Sequence, residues 1–378
     1  PSPLVQRLVM VRGEEPPVAG EPEVFRREEP VIVDMVAAER AHRAEPEPVP
    51  APDVAVPRRF SHSALQAHRD CPYRFLMGNA LGLRRPEPVE AEFTPADRGN
   101  LAHAVLERWL RPDGAGAAAL ASGDGERARA AFLAAAEAVR DQRGQDLPGS
   151  CVSWRALVEL APILVQQELA RHATWRPLAL EARFELTLGQ AVAWLAAREE
   201  TAPTLPPDQD AVVLSGVIDR VDVARDGSPR AVVIDYKTGA VPSRRQVSDG
   251  RVLQLALYGL AVEAGGLASH LDPGRAWAMA EAGFYLLRAG KTGYQGYVDE
   301  PDALLAGVRA IVDQLRTILD PERPYALVPD WREAEAAGRL PCHTCEFRGI
   351  CRLEERDTSE ALAARVASLL ATTPRRQP

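Results

Sequence analysis

Two aspartates and a lysine lie on neighbouring segments that are rich in β-branched residues. Asp219 belongs to the first segment, and Asp235 and Lys237 belong to the second. The polar residues 224–229 between them have the composition of a tight turn, so the sequence predicts a β-hairpin. Paired carboxylates beside a lysine are the groups that metal-assisted hydrolysis of a phosphodiester uses.

The spacing across this hairpin determines which side chains meet. Asp219 and Asp235 are equidistant from Gly227, so a turn centred there places them directly opposite each other, with Cβ atoms roughly 5 Å apart. Side chains alternate between the faces of a strand, so Lys237 shares the face of Asp235. Carboxylates this close repel each other unless a cation lies between them, and oxygen ligands favour Mg²⁺ or Mn²⁺. The alternative is a set of salt bridges on an exposed sheet surface.

Cysteines form a second group of chemically capable residues. The chain contains Cys71, Cys151, Cys342, Cys345 and Cys351. An odd number without a secretory segment indicates a reducing compartment, and we expect a cytoplasmic protein. The last three have the spacing C-x2-C-x5-C, and Cys71 is the predicted fourth thiolate of a set that suits an iron–sulfur cluster or structural zinc. The alternative is zinc held by the last three and His343; Cys151 is expected in the core.

Several motifs occur in an order that resembles a known nuclease family. They are Cys71-Pro72-Tyr73-Arg74-Phe75, Gly99-Asn100-Leu101-Ala102-His103, Gly216-Val217-Ile218-Asp219-Arg220, Asp235-Tyr236-Lys237, Gln254 with Tyr258, and the C-terminal cysteines. This set resembles the nuclease domain of the AddB/RecB family, in the iron–sulfur branch of the PD-(D/E)xK superfamily. Each motif alone is common, so the resemblance depends on their order.

The resemblance implies a restriction-endonuclease-like α/β fold. Its mainly antiparallel or mixed sheet would be flanked by helices, with a helical insertion and an iron–sulfur staple joining the N- and C-terminal parts. The catalytic residues would be His103, Asp219, Asp235, Lys237, Gln254 and Tyr258. The ligands of Mg²⁺ or Mn²⁺ would be His103, Asp219, Asp235 and the backbone carbonyl of Tyr236. A [4Fe–4S] cluster, or structural Zn²⁺ in its place, would bind Cys71, Cys342, Cys345 and Cys351.

Some of these residues have simpler structural explanations. His103 lies in a predicted helix beside an apolar face, where a histidine is by default a packing residue with satisfied hydrogen bonds. Gln254 and Tyr258 share one face of a very apolar helix and could form a purely structural pair. Glu185 would match an acidic residue that the family carries upstream of Asp219.

Apolar periodicity predicts the elements that position these residues. Helices are predicted at 61–78, 98–111, 125–146, 153–173, 248–265, 302–319 and 356–371, and strands at 181–188, 211–224, 230–237, 281–288 and 294–298. This succession predicts an α/β core with an added helical layer.

Composition divides the chain into a tail and a folded region. Residues 1–56 contain ten prolines, with eleven acidic and six basic residues, and so bury little apolar surface. The chain begins at Pro1 without a methionine, so we expect a fragment or a processed product. The expected parts are a linker or the tail of a helicase-like region at 1–57, the nuclease domain at 58–356 with a helical insertion at about 113–175, and a C-terminal helix and tail at 357–378.

The charge balance limits how this chain could bind DNA. Its net charge is −8, so phosphate contacts require locally concentrated basic residues. The candidates are Arg84, Arg85, Arg244, Arg245, Arg288, Lys291 and Arg323, each of which is otherwise an ordinary surface charge. No apolar run has the length of a membrane span, and no Walker A motif is present.

These observations predict a Mg²⁺-dependent deoxyribonuclease, acting as an exonuclease or endonuclease. The resemblance implies DNA and an AddA-like helicase–nuclease protein as partners, no membrane partner, and a role in double-strand break repair and recombination. Two alternatives are a non-catalytic DNA-binding or scaffolding module of such a complex, and a stand-alone nuclease like those of CRISPR adaptation.

Overall fold

The residues that the structure describes lie between 56 and 348. It is a computed structural model, and the described ranges are 56–84, 93–143, 149–199, 203–206, 208–299, 301–320 and 345–348. The predicted helix at 356–371 and the residues Arg85, Arg323, Cys342 and Cys351 lie outside these ranges.

A six-stranded mixed sheet runs through the described part of the chain. Its strands are β1 (Arg59–Phe60), β2 (Trp175–Thr187), β3 (Val213–Ala224), β4 (Arg230–Lys237), β5 (Ala278–Leu286) and β6 (Gly293–Val298). β3 pairs with antiparallel β2 along one edge, and with parallel β1 and then antiparallel β4 along the other. β5 continues the sheet parallel to β4, and β6 pairs antiparallel with β5. The mixed sheet flanked by helices agrees with the predicted fold class.

The β3–β4 hairpin has the register that the sequence predicts. Its pairs run from Val223 with Ala231 to Arg220 with Ile234, which is symmetric about Gly227. Gly227 has φ 78°, a left-handed conformation that glycine adopts without strain. The composition of the turn therefore fixes which residues of the two strands face each other.

The β3–β4 ladder stops one residue short of the two aspartates. Its last pair is Arg220 with Ile234, and Asp219 and Asp235 are the next residue on each strand. Along the same edge of β3, β1 pairs near the start of the strand, at Leu214. The two central strands therefore separate at Asp219 and Asp235, and we call this opening the fork.

Helices cover the sheet. The described ones are α1 (His62–Asp70), α2 (Pro72–Phe75), α3 (Pro95–Leu110), α4 (Ala115–Ala121), α5 (Gly125–Arg143), α6 (Ser150–Glu159), α7 (Ala161–His172), α8 (Leu188–Ala196), α9 (Arg244–Ser248), α10 (Gln254–Glu263) and α11 (Pro301–Ile318). A π-helical turn, Leu76–Ala80, follows α2.

The prediction of one continuous helix at 61–78 is wrong. The chain is extended at Cys71, with φ −163° and ψ 114°, and this residue separates α1 from α2. Pro72 follows, and a proline disfavours the helical conformation of the residue before it. The cysteine that the sequence singles out therefore lies at the break between two helices.

α3 carries His103 and begins with a strong local signal. The Thr94 side chain accepts from the N–H of Asp97, and the Asp97 carboxylate accepts from the N–H of Thr94. This capping box and Pro95 in the first turn start the helix three residues before the predicted position. The buried face of α3 consists of Leu101, Ala102, Val105, Leu106, Trp109 and Leu110. His103 lies at the margin of that face, so packing fixes the direction of its side chain.

Four helices, α4 to α7, lie between α3 and β2. The single helix predicted at 153–173 is two helices, because α6 ends before Leu160 and Pro162 stands in the first turn of α7. α4 was not predicted. The expectation that Cys151 is a core residue is also wrong, since Cys151 is exposed on α6. The buried positions of α6 are Ser150, Ser153 and Leu157.

Two other boundaries differ from the prediction because capping overrides periodicity. β2 begins at Trp175, six residues before the predicted strand, and continues to a Thr187–Gln190 capping box that starts the unpredicted α8. The helix predicted at 248–265 begins only at Gln254. Residues 238–253 between β4 and α10, which include the short helix α9, are called the connecting loop below.

A buried ion cluster joins the inserted helices to the sheet. Arg220 on β3 donates to both carboxylate oxygens of Glu168 on α7, each at 2.8 Å, and to Asp222 at 2.6 and 2.9 Å. Arg171 on α7 donates to Asp222 at 2.7 Å. Glu168, Arg220 and Asp222 are at most 2% exposed. Burial favours the neutral form of Asp222, but Arg220 and Arg171 hold the pKa of this carboxyl below its usual value.

Among the described residues, none of the helices combines the length and the apolar composition that crossing a membrane requires.

The buried ion cluster predicts a stability effect. Glu168→Gln keeps the side-chain shape but removes one of two negative charges facing two arginines, so we expect unfolding to become easier by about 3–5 kcal/mol. Urea denaturation followed by circular dichroism measures this change. The control is Glu159→Gln, an exposed glutamate on α6, which should leave the midpoint unchanged. Equal midpoints for the two variants would contradict a structural role for the cluster.

Candidate active site

Asp219 and Asp235 face each other across the fork. The Asp219 carboxylate accepts the backbone N–H of Tyr236 at 2.7 Å, a donor that the β3–β4 ladder leaves available at this point. Asp219 is 8% exposed and Asp235 is 3% exposed. Burial, and then the negative charge of Asp235, raise the pKa of Asp219 to about 7. The fork therefore holds two carboxylates in a place that favours an added cation.

Lys237 and the start of α10 surround Asp235. Lys237 Nζ lies 2.6 Å from Asp235 Oδ2, and Gln254 donates to Asp235 Oδ1 at 2.5 Å. Gln254 also accepts from Lys237 at 3.4 Å and donates to the Tyr258 hydroxyl at 3.1 Å. Tyr258 is only 2% exposed, so it contacts the site through Gln254. Burial raises the pKa of Asp235 although Lys237 opposes this shift.

His103 approaches the fork from α3. Its Nδ1 lies 3.6 Å from Asp219 Oδ1 and 3.6 Å from Glu181 Oε1, and its Nε2 lies 3.3 Å from the carbonyl oxygen of Tyr236. Burial favours neutral imidazole, but the carboxylates of Glu181, Asp219 and Asp235 outweigh it and raise the pKa of His103. A histidine surrounded by carboxylates and a carbonyl oxygen is in ligand-like surroundings, unlike an ordinary packed histidine.

Glu181 was not singled out in the sequence, and Glu185 was chosen in its place. Glu185 is exposed and pairs with Arg59 at 2.7 Å, so its assignment to the site is wrong. Glu181 lies on β2 between the residues that pair with Arg220 and Ile218, which places it across from Asp219. It has φ 47°, an unusual conformation for a residue other than glycine. Backbone strain of this kind is common at functional sites.

The side chains around the fork fit a divalent cation. Donor atoms of His103, Glu181 and Asp219 all lie within 4.8 Å of one another. An imidazole nitrogen and carboxylate oxygens form a donor set that suits a divalent ion. Glu181 adds a carboxylate to the predicted ligands, whereas the nearest partners of Asp235 are Lys237 and Gln254.

Two glycines of the motifs allow close approaches at the site. A Cβ at Gly216 would lie 2.8 Å from Phe184, the residue opposite it on β2, so only glycine permits the two strands to pack here. A Cβ at Gly99 on α3 would lie 3.9 Å from Thr238 Oγ1, just after Lys237. The helix that carries His103 is therefore in contact range of the connecting loop.

The structure describes two of the four predicted cysteine ligands, Cys71 and Cys345. A Cβ at Gly78 would lie 3.3 Å from the ring of Phe347, which is 4% exposed. Gly78 lies in the π-helical turn that follows Cys71 and α2, and Phe347 is two residues after Cys345. The cysteine segments from the two ends of the region are therefore neighbours.

The structure brings the predicted site residues into one cluster. They are His103, Asp219, Asp235, Tyr236, Lys237, Gln254 and Tyr258. Their roles in catalysis and in metal binding remain predictions.

Comparison with known proteins agrees with this geometry. A similar protein is an ATP-dependent helicase/deoxyribonuclease component from Moorella thermoacetica (strain ATCC 39073 / JCM 9320), with 29% identity over 216 residues. The aligned part covers 53% of this chain and 17% of that protein, so the chain corresponds to a small portion of its relative. The sequence model of the PD-(D/E)XK nuclease superfamily matches residues 59–352. This chain belongs to the PD-(D/E)XK nuclease superfamily.

Proposed function

We propose that this chain is a deoxyribonuclease that hydrolyses phosphodiester bonds with Mg²⁺ or Mn²⁺. The observation that carries this proposal is the convergence of Asp219, Asp235 and Lys237 at the fork, with His103 and Glu181 beside them. Membership of a nuclease superfamily supports hydrolysis as the reaction. The name of the similar Moorella protein supports DNA as the substrate.

Each side chain has a chemical task in the proposed reaction. His103, Asp219 and Asp235, with the carbonyl of Tyr236, would hold the divalent ion, and Glu181 is a further ligand candidate. When bound, such an ion polarises a phosphoryl oxygen and lowers the pKa of a coordinated water. Lys237 donates to the attacking water and stabilises the negative charge that develops on the phosphate.

Gln254 acts as a positioning residue in this proposal. Its amide nitrogen donates to Asp235 and its amide oxygen accepts from Lys237, so it fixes the carboxylate and the ammonium relative to each other. Tyr258 in turn accepts from Gln254 and is held by ring contacts with His62 and Phe184, at 5.8 and 5.9 Å between centroids. These contacts pre-organise the charged groups before substrate arrives.

We also propose that Cys71, Cys342, Cys345 and Cys351 bind a [4Fe–4S] cluster, with structural zinc as the alternative. The contact between Phe347 and Gly78 supports this, since it brings the segments of Cys71 and Cys345 together. Thiolates are the ligands that both cofactors use. Metal bound there would join the two ends of the nuclease region.

The wider role follows from the similar protein. We propose that the chain works in a helicase–nuclease complex with an AddA-like partner, in the cytoplasm, during double-strand break repair and recombination. The name of the Moorella relative, which joins helicase and deoxyribonuclease, supports the complex. The assembled Asp219, Asp235 and Lys237 set argues against a purely non-catalytic module, because such a module has no use for the three groups together.

Nuclease activity is tested with a variant that preserves the shape of the site. Asp235→Asn should abolish cleavage of single- and double-stranded DNA with Mg²⁺, because it removes one of the two opposed charges that favour the cation. Removal of divalent ions with EDTA should do the same to the unmodified chain. Asp113→Asn, at an exposed aspartate, is the control and should cleave normally. Metal-dependent cleavage by Asp235→Asn at the normal rate would refute the assignment.

The role of Glu181 has its own test on the same strand. Glu181→Gln should raise the Mn²⁺ concentration needed for half-maximal cleavage by about tenfold or more, because a carboxylate near the ion contributes to its affinity. The matched variant is Glu185→Gln, at the exposed glutamate that pairs with Arg59, which should behave like the unmodified chain. Equal metal requirements in both variants would exclude Glu181 as a ligand.

The cysteine site predicts a stability effect with a metal readout. Protein prepared without oxygen should contain iron and sulfide and absorb in the visible range, whereas zinc without sulfide would identify the alternative. Cys345→Ala should lose this metal and unfold more easily, because the binding energy of a structural metal is folding energy. Cys151→Ala, at the exposed cysteine of α6, should keep both properties. Protein with neither metal, or a stable Cys345→Ala variant with full metal content, would contradict the proposal.

A further inference from the structure

The connecting loop at 238–253 concentrates positive charge in an acidic chain. It contains three arginines and one aspartate, a net charge of +2, whereas the whole chain carries −8. The side chains of Arg244 and Arg245 are 65% and 88% exposed, and that of Arg251 is 30% exposed. Such a local surplus is the arrangement that phosphate binding requires.

Both ends of the connecting loop belong to the active site. Lys237 precedes it, Gln254 follows it, and the side chains of these two residues meet at 3.4 Å. Near its start, Thr238 faces Gly99 on the helix that carries His103. A strand of nucleic acid that enters the fork therefore passes beside this loop.

The loop has a defined internal structure that fixes its arginines. Arg69 on α1 donates to the carbonyl of Gly250 at 2.6 Å, and the N–H of Arg251 donates to the carbonyl of Gln246 at 2.8 Å. Ser243 and Gln246 form a capping box. A surface held in this way loses little conformational freedom when it binds a ligand.

The ion pairs of the loop leave positive charge in excess. Asp249 is the common partner of Arg245 at 3.5 Å and of Arg251 at 3.8 Å, so one carboxylate faces two guanidinium groups. Arg244 lies over the ring of Tyr297 at 5.4 Å, and its nearest carboxylate, Asp299, is 4.0 Å away. Exposed pairs of this kind are weak, so phosphate oxygens can replace the carboxylates.

The acidic fork makes such a surface necessary. Glu181, Asp219 and Asp235 repel the phosphates of an approaching strand, and Lys237 alone offsets only part of this charge. We propose that Arg245 and Arg251, with Arg244 beside them, bind the phosphates of the DNA strand next to the bond that is cut, with Asp249 as an acid that weakens this binding. This inference rests on the proposed function and names the substrate contacts of the same site.

Variants of opposite sign test the proposal. Arg245→Gln and Arg251→Gln should weaken binding of a fluorescent single-stranded oligodeoxynucleotide, by roughly fivefold each at about 0.1 M salt. The slope of log affinity against log salt should become shallower by about 0.7 for each arginine removed. Asp249→Asn should tighten binding, because it releases two guanidinium groups. Fluorescence anisotropy in an Asp235→Asn background measures binding without cleavage.

The matched controls are Arg127→Gln and Asp124→Asn on and before α5. This pair lies at 3.9 Å with side chains 80% and 39% exposed, against 88% and 40% for Arg245 and Asp249. Loop variants that change affinity no more than these controls, or an Asp249→Asn variant that fails to bind more tightly, would overturn the proposal.

A small substrate separates this inference from the proposed function. Bis(p-nitrophenyl) phosphate has no neighbouring phosphates, so the loop variants in an otherwise unmodified chain should hydrolyse it at the normal rate while cleaving the oligodeoxynucleotide more slowly. Equal losses on both substrates would show that the arginines act on the chemistry and would overturn the proposal. If the unmodified chain cleaves neither substrate, the proposed function fails, while the anisotropy measurements still decide whether the loop binds DNA.

Discussion

Repulsion between the carboxylates of Asp219 and Asp235 is the constraint around which this structure is arranged. Burial strengthens the repulsion, because charges interact more strongly away from water. The surrounding residues answer it with a backbone N–H from Tyr236, the ammonium of Lys237 and the imidazole of His103. The separation of β3 and β4 at this point supplies the space, since continued pairing of the strands would leave the Tyr236 N–H occupied and the carboxylates closed in.

The opposite face of β3 balances this strained arrangement. Arg220 follows Asp219 directly, so its side chain points to the other side of the sheet, where it meets Glu168 and Asp222. The inserted helix α7 is therefore attached to the same strand that presents the site. A buried charged cluster is weak support for stability in general, but it is demanding in geometry, because each charge must keep its partner. The inserted helices thus contribute to where the fork lies.

Sequence patterns predicted the parts of the site that depend on local geometry. Asp219, Asp235 and Lys237 belong to one hairpin, so the turn at Gly227 and the alternation of strand faces determine their meeting. Glu181 could not be identified in this way, because its position across from Asp219 depends on the pairing of β2 with β3 through an intervening helix and loop. His103 needed the family resemblance, since its helix packs against the sheet through contacts that are distant in sequence. Helix boundaries failed where capping boxes and prolines override apolar periodicity.

The packing of Phe347 against Gly78 has a consequence for biosynthesis. Residues near the two ends of the nuclease region touch each other, so α2 and the turn after it gain this neighbour only when almost the whole region has left the ribosome. Contacts between residues so far apart in sequence form slowly, because closing a long stretch of chain carries an entropy cost. The emerging N-terminal helices must therefore wait with an apolar surface uncovered, and this segment is where assistance from a chaperone would have the largest effect.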